Sequence, residues 1–265
     1  MAKVFEKFST GYNTLFNDLA DPRVKDWTLM SDPGIVLLVT IGYIYVVVSL
    51  GPRYMHNRKA FDLRKIIIGY NTFQVIANSL IFYKILSSGW TTTLSLGCEP
   101  VDYSDDPNAV SLVEGFWWCF MLKSVELIET VFFILRKKQN QVSFLHVYHH
   151  ASTLLFVWVA TKYVGGGMTT FCVLVNSIIH VVMYTYYLLA ALGNQAIQKT
   201  ISKWKKYLTT AQMVQFVIVI AHQMQALSPK CQIAKGLLLL FIPNVLLVFV
   251  LFYDFYRKAY KKKTK

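Results

Sequence analysis

The stretch LHVYHHASTLLFVWVATKYV, residues 145–164, is an apolar run with three histidines close to its beginning. A helix needs about 20 mostly apolar residues to cross the hydrocarbon core of a bilayer, and this segment has that length. Ionisable side chains are costly inside a membrane and mark a functional site there by default. The stretch therefore predicts a membrane-spanning helix with a functional site near one end.

The rest of the chain extends this pattern. Of its 265 residues, 55% are hydrophobic, and the mean hydropathy is positive. Apolar segments of spanning length lie at 34–51, 66–86, 113–135, 143–163, 168–190, 208–227 and 235–256. No linker or internal repeat divides them. We therefore predict an all-α integral membrane protein with seven transmembrane helices in a single polytopic domain, residues 1–265.

The distribution of Lys and Arg predicts the orientation. The formal net charge is +13, and the basic residues gather in alternate loops and in the tail. By the positive-inside rule, residues 1–33 form a lumenal N-terminal segment and residues 257–265 a cytosolic basic tail. Positive charge can also indicate nucleic-acid binding, but the chain has no Cys/His zinc spacing and no basic patch interleaved with aromatic residues on a soluble fold. We predict no nucleic-acid partner.

The four cysteines fit this topology. Cys98 and Cys231 lie in loops that are both predicted to face the oxidising lumen, where a disulfide between them is allowed. Two separate thiols would fit the same loops, and we favour the bridge. Cys119 and Cys172 lie inside spans, where buried and inert thiols are expected, and neither is expected to lie with the histidines.

Polar side chains in four spans are predicted to lie at one depth. His146, His149 and His150 have i, i+3 and i+4 spacing, which places them on one face of a helix. At 1.5 Å of rise per residue, polar groups of three other spans lie at a similar distance from the cytosolic ends. These groups are Lys123, Glu126, Glu129, Thr130, Asn176, His180, Tyr184, Tyr187, Gln212 and Gln215. If their faces converge, they form one site.

Three interpretations of this cluster remain open from the residues alone. Histidines at i and i+4 have metal-ligand spacing, as in a metal-dependent lipid desaturase or hydroxylase. Neutral imidazole is also a base and a nucleophile toward acyl groups, with Asn, Gln and Tyr as donors to an oxyanion. Alternatively, the polar groups only bridge helices, or belong to a receptor or transporter, whose cluster would lie near the midplane.

Four ordered motifs resemble the elongases of very-long-chain fatty acids, the membrane 3-ketoacyl-CoA synthases. The family's HxxHH box corresponds to His146–His150, and its KxxExxDT motif to Lys123–Thr130. Its NxxxHxxMYxYY motif corresponds to Asn176–Tyr187, and its TxxQxxQ motif to Thr209–Gln215. One position departs from the pattern, because Glu129 stands where the family has Asp.

The resemblance implies a decarboxylating condensation of acyl-CoA with malonyl-CoA, the co-substrate, to 3-oxoacyl-CoA, CoA and CO₂. It implies no bound cofactor and no metal. The expected nucleophile, which forms an acyl-imidazole, is His149, and His180 is the expected base or second covalent contact. His146 and His150 are expected to orient the nucleophile or to assist decarboxylation. The expected substrate-binding groups are Asn176, Gln212, Gln215, Tyr184, Tyr187, Lys123, Glu126 and Glu129. We expect Lys123 to pair with Glu126, since an unpaired buried charge is costly.

The resemblance also implies that the second to seventh helices enclose a substrate tunnel. CoA would stay at the cytosolic mouth, where basic side chains could meet its phosphates; ordinary positive-inside charge is the alternative explanation for them. These side chains are Lys137, Lys138, Lys203 and Arg257. The acyl tail would run toward the lumen. We expect the tunnel floor near Trp90, Trp117, Trp158 and the turn at 165–167.

The end of the chain predicts its location. Lys262 and Lys263 match a dilysine retrieval signal for the endoplasmic reticulum membrane. The expected partners are the lipid bilayer, acyl-CoA and malonyl-CoA, and the reductase and dehydratase enzymes that complete an elongation cycle. A homodimer is left open.

Overall fold

The computed structural model describes residues 2–193, 195–231, 233 and 235–260, and its regular structure is entirely helical. The helices of eight residues or more in this part are α1 (Ala2–Asn13), α2 (Pro33–Met55), α3 (Arg64–Trp90), α4 (Pro107–Leu135), α5 (Phe144–Val164), α6 (Gly167–Leu192), α7 (Gln195–Ser202), α8 (Lys205–Met224) and α9 (Lys235–Tyr260). The predicted dilysine pair, Lys262 and Lys263, lies outside the described residues.

The long helices overlap all seven predicted segments. Four of them, α2, α3, α6 and α9, are long and apolar enough to cross a membrane. Helix α4 begins six residues earlier than the predicted segment at 113, because Asp106 caps it. The Asp106 carboxylate accepts hydrogen bonds from the backbone N–H groups of Asn108 and Ala109, and Pro107 occupies the first helical position. The chain is a multi-pass, all-α membrane protein.

Six helices close into a ring. Helix α4 packs against α3 on one side and α5 on the other; α3 continues to α6, α6 to α8, and α8 to α9. Helix α9 then packs back against α5, which closes the ring. These six are the second to seventh predicted spans. Helix α2 lies outside the ring, against α4 and α5.

One end of the ring, here called the basic end, carries the loops after α2 and α4. Arg64 binds the C-terminus of α6 there, with its Nε donating to the Ala191 carbonyl at 2.9 Å and its Nη2 to that of Leu192 at 3.3 Å. A cation at this position satisfies carbonyls that have no partner within the helix. The Phe61 N–H donates to the Leu135 carbonyl at 3.0 Å, which ties the α2–α3 loop to the end of α4.

The opposite end, here called the disulfide end, is fastened by the Cys98–Cys231 bridge, as predicted. This bond joins the α3–α4 loop to the α8–α9 loop across the ring. The Met168 N–H also donates to the Glu99 carbonyl at 2.8 Å, so the α3–α4 loop is held against the beginning of α6.

The segment between α1 and α2 packs on the disulfide end. Its carbonyls accept three hydrogen bonds from side chains of α4 and α5. Trp117 donates to the Thr28 carbonyl at 3.0 Å, and Trp158 donates to that of Leu29 at 2.8 Å. Lys162, which is fully buried, donates to the Met30 carbonyl at 2.7 Å. The ammonium is therefore satisfied by a backbone dipole rather than left unpaired.

The turn between α5 and α6 depends on one glycine. Gly167 has a φ of +51°, and a Cβ there would lie 2.4 Å from the carbonyl oxygens of both Glu99 and Pro100. We expect Gly167→Ala to lower the free energy of unfolding by about 2 kcal/mol or more, since it adds left-handed strain to this clash. Thermal unfolding of the purified protein measures the change.

The matched control is Gly69→Ala in α3. A Cβ at Gly69 meets nothing within 4 Å, so this variant should unfold at or above the wild-type temperature. Equal unfolding temperatures for the two variants would contradict the requirement for glycine at Gly167.

Candidate active site

The first two turns of α5 place its three histidines. Ser143 caps the helix by accepting a hydrogen bond from the His146 N–H at 3.2 Å. Helix geometry then puts His146 and His150 one above the other, with their ring centroids 4.3 Å apart, and His149 beside them at 5.8 Å from His150. The predicted shared face is confirmed.

His149 differs from the other two because it faces a cavity inside the ring. Its Nδ1 lies 3.4 Å from the Thr153 hydroxyl, one helical turn along α5. The rings of Phe216 and Phe252 contact the imidazole edge to face, at centroid distances of 6.5 and 5.9 Å. With Nδ1 turned toward Thr153, the other ring nitrogen is the one that remains for a ligand.

A buried ion pair stands beside the histidines. The Lys123 ammonium is 3.0 Å from both carboxylate oxygens of Glu126, which is the predicted pairing. His180 completes the group, with its Nδ1 3.3 Å from Glu126 Oε1 and 3.3 Å from Lys123 Nζ. All three side chains are buried, so none of these contacts is screened by water.

The other two histidines contact polar partners of α4. His150 Nε2 lies 3.9 Å from the carboxylate of Glu129, the residue that departs from the family's Asp. His146 Nε2 lies 2.9 Å from the hydroxyl of Thr130. Within the described ranges, no group of three or more His, Cys, Asp or Glu side chains is arranged to hold a metal ion.

The cavity has a volume of about 450 Å³ and is mostly apolar. Four predicted site residues line it: Lys123, His149, Asn176 and Gln215. At the disulfide end its wall is made by the α3–α4 loop, the start of α6, the α8–α9 loop and the start of α9. The residues there include Pro100, Val101, Tyr103, Met168, Ile233 and Leu237. A mostly apolar lining with a few polar side chains suits an apolar ligand with a polar head.

Other predicted site residues lie behind or beyond the cavity wall. The amide of Gln212 is 3.2 Å from the sulfur of Met183, and Gln212 does not line the cavity. The ring of Tyr184 packs edge to face on His180 at 5.7 Å, and Tyr187 packs on Tyr184 at 6.1 Å. These side chains form a second layer around the lining residues.

None of the four basic side chains that were expected at the cytosolic mouth lines the cavity. Lys137 donates to the His56 carbonyl at 3.2 Å on the surface of the basic end. The remaining three, Lys138, Lys203 and Arg257, belong to the same end of the ring and likewise do not line the cavity. Any contact of these side chains with a ligand would be made outside the described cavity.

Two expectations need correction. The tryptophans do not form the cavity floor, because none of them lines the cavity and their indole N–H groups bind elsewhere. Trp117 and Trp158 donate to the segment before α2, and Trp90 donates to the Thr170 hydroxyl at 2.9 Å. The free thiols of Cys119 and Cys172 are not remote from the site but line the same cavity as His149. Sequence spacing could not show this, because it does not give the direction of approach of neighbouring helices.

Several site residues were not predicted. Thr153 and Phe216 contact His149, and Asn244 of α9 lines the cavity while accepting a hydrogen bond from Tyr148 at 2.7 Å. The position of Thr153, four residues after His149, was the one available signal. The partners on α8 and α9 are too distant in the chain to be read from periodicity.

Comparisons with known proteins agree with these motifs. The chain matches the ELO (GNS1/SUR4) family over residues 28–265. It is 43% identical to a very long chain fatty acid elongase of Aedes aegypti, over 96% of this chain and 71% of the relative. It is 41% identical to very long chain fatty acid elongase 7 of Drosophila melanogaster, over 97% of this chain and 78% of the relative. It is 43% identical to very long chain fatty acid elongase 7 of Rattus norvegicus, over 92% of this chain and 86% of the relative. The chain therefore belongs to the ELO (GNS1/SUR4) family.

Proposed function

We propose that this chain condenses a long-chain acyl-CoA with malonyl-CoA to give 3-oxoacyl-CoA, CoA and CO₂, through an acyl-histidine intermediate. Fatty acid elongation is the activity named for its relatives, and very-long-chain 3-oxoacyl-CoA synthase is the corresponding enzyme class. These relatives overturn the alternative of a metal-dependent desaturase or hydroxylase. The covalent intermediate goes beyond what the names of these relatives state.

The observation that carries the intermediate is the position of His149 at the head of an apolar cavity. An imidazole nitrogen of His149 attacks the thioester carbon, the C–S bond breaks, and CoA leaves as the thiol after taking up the imidazole proton. The acyl-imidazole remains, with its tail in the cavity. Malonyl-CoA then loses CO₂, and its enolate carbon attacks the acyl carbon. The C–N bond breaks, and His149 returns to neutral imidazole by taking up one proton from water, the proton that the overall reaction consumes when the malonyl carboxylate leaves as CO₂.

Neighbouring groups supply the remaining functions. His180 is the proposed base, and its Nδ1 lies 3.3 Å from both Glu126 Oε1 and Lys123 Nζ of the ion pair. Asn176 and Gln215 line the cavity with amide groups, which can donate hydrogen bonds to the oxyanion that forms at each addition step. The second layer holds these groups in place through Gln212, Tyr184, Tyr187, His150 and Glu129.

The proposed orientation in the membrane places the CoA portions of both substrates on the same side. We propose that all seven long helices span the endoplasmic reticulum membrane, with the N-terminus and the disulfide end lumenal and the basic end cytosolic. CoA is a polyanion, so its phosphates would meet the cations of the basic end. These are Lys137, Lys138, Lys203 and Arg257. Separate reductase and dehydratase enzymes would then process the 3-oxo product.

The acyl-histidine step predicts a covalent adduct. When the purified protein is mixed with a long-chain acyl-CoA and no malonyl-CoA, its intact mass should rise by one acyl group while one equivalent of CoA is released. His149→Ala should form no adduct and should lose at least about 10³-fold in condensation rate, as expected for a removed nucleophile.

The control variant is His56→Ala, which removes an exposed loop histidine and should acylate like the wild type. Full condensation activity of His149→Ala would contradict the assignment of the nucleophile. Condensation by the wild type with no detectable adduct would instead favour direct reaction of the two bound substrates.

We propose that the disulfide end of the cavity limits the chain length of the product. Leu237 lines the cavity at the disulfide end, whereas Leu239, two residues along α9, is exposed on the outer surface. Leu237→Trp should shorten the longest product by about one elongation step, because the larger side chain occupies space near the floor. Gas chromatography of the products from a series of acyl-CoA lengths measures the change.

Leu239→Trp adds the same volume on the outside and should leave the product distribution unchanged. If both variants gave the wild-type distribution, the end of this cavity would not limit the chain.

A further inference from the structure

Helix α2 stands outside the ring, yet one of its side chains reaches into the site. Most of its surface is apolar and exposed, as at Leu38 and Ile41, but Tyr43 is only 7% exposed. The Tyr43 hydroxyl lies 2.9 Å from the Thr130 hydroxyl of α4, which lies 2.9 Å from His146 Nε2 of α5. Thr130 is completely buried. The three groups form a hydrogen-bonded chain that joins three helices.

The partners of these hydroxyl groups determine which atom donates and which accepts in each hydrogen bond of the chain. Within the described residues, the Tyr43 hydroxyl has no hydrogen-bond partner besides Thr130, so its proton can only be donated there. Thr130 also makes no bond to the carbonyl four residues before it, unlike Thr40, whose hydroxyl donates to Val36 at 2.8 Å. The Thr130 proton therefore goes to His146 Nε2. That nitrogen must carry the lone pair.

We propose that Tyr43 is a positioning residue for the condensation, because through Thr130 it fixes neutral His146 as the tautomer with its proton on Nδ1. The opposite tautomer would place a proton on Nε2, so the Thr130 oxygen would face two donors, Tyr43 and His146. Either the Tyr43 or the Thr130 proton would then be left without an acceptor at a buried position, which is unfavourable. Orientation of a histidine by a hydrogen bond to its second nitrogen is a general device in enzymes.

The direction of these hydrogen bonds also gives His146 and His180 different roles. His146 Nε2 is engaged as an acceptor by Thr130 and is not free to collect a proton from a substrate. His180 has no such partner at its Nε2 in the described residues, and its Nδ1 contacts the ion pair of α4. This inference rests on the proposed function and deepens it: His180 is the base, and His146 is held neutral so that its ring packs on His150.

Tyr43 does not line the cavity, so its loss should change turnover rather than substrate binding. We expect Tyr43→Phe to lower kcat for condensation about five- to tenfold while KM for acyl-CoA stays unchanged, as for one lost hydrogen bond in a buried network. Thr130→Val should have a similar effect, and Thr130→Ser, which keeps the hydroxyl, should retain near wild-type kcat. The double variant Tyr43→Phe/Thr130→Val should be no slower than Thr130→Val, because the chain is already broken.

The matched control is Tyr45→Phe on the same helix. Tyr45 is 56% exposed on the outer face, and its variant should keep wild-type kcat. A direct readout comes from ¹⁵N NMR of histidine-labelled protein, with the His146 signals identified by their absence in His146→Gln. The wild type should show an unprotonated Nε2 at His146, and Tyr43→Phe should show a mixture of tautomers.

Two results would overturn the inference: a wild-type kcat for Tyr43→Phe, or a protonated Nε2 in neutral His146 of the wild type. Multiplying effects in the double variant would show that Tyr43 and Thr130 act independently, which also contradicts it. Failure of the acyl-histidine proposal is distinguishable from these results. In that case the wild type would form no acyl adduct, whereas the kcat of Tyr43→Phe could still be compared with that of the wild type.

Discussion

The buried Lys123–Glu126 ion pair is the interaction on which the rest of the site depends. Neither charge can face lipid, because a single ionised group in an apolar medium costs several kcal/mol even after relaxation. Each must point into the ring, and the i, i+3 spacing on α4 lets them meet at 3.0 Å. Once α4 has this orientation, its neighbours must present polar groups to the same side. His180 does so from α6, and the histidines do so from α5.

The two ends of the ring are built differently, and the difference suits an elongated substrate. The disulfide end is closed by covalent and backbone contacts, with the Cys98–Cys231 bridge and the Gly167 turn holding the α3–α4 loop against α6. The basic end is tied by side chains at its surface, among them Arg64 on the last carbonyls of α6. A polar head can therefore remain at the basic end while an apolar tail occupies the cavity.

The three histidines of α5 differ in the groups that surround their rings. His149 faces the cavity and is walled by aromatic rings, which is why it is the proposed nucleophile. His146 and His150 lie against Thr130 and Glu129 of α4. Three residues within five positions thus have different environments, because two of them lie against α4 and His149 is turned toward the cavity.

The sequence by itself determined the local features of this protein. Apolar length located the seven long helices, the i, i+3 and i+4 spacing placed the histidines on one face, and loop topology paired Cys98 with Cys231. Family motifs selected His180, Asn176 and Gln215. Only the tertiary structure decided the order of helices around the ring, the residues at the cavity floor and the approach of Tyr43. Tyr43 and Thr130 are 87 residues apart, and periodicity within one helix carries no information about which face of another helix will pack on it.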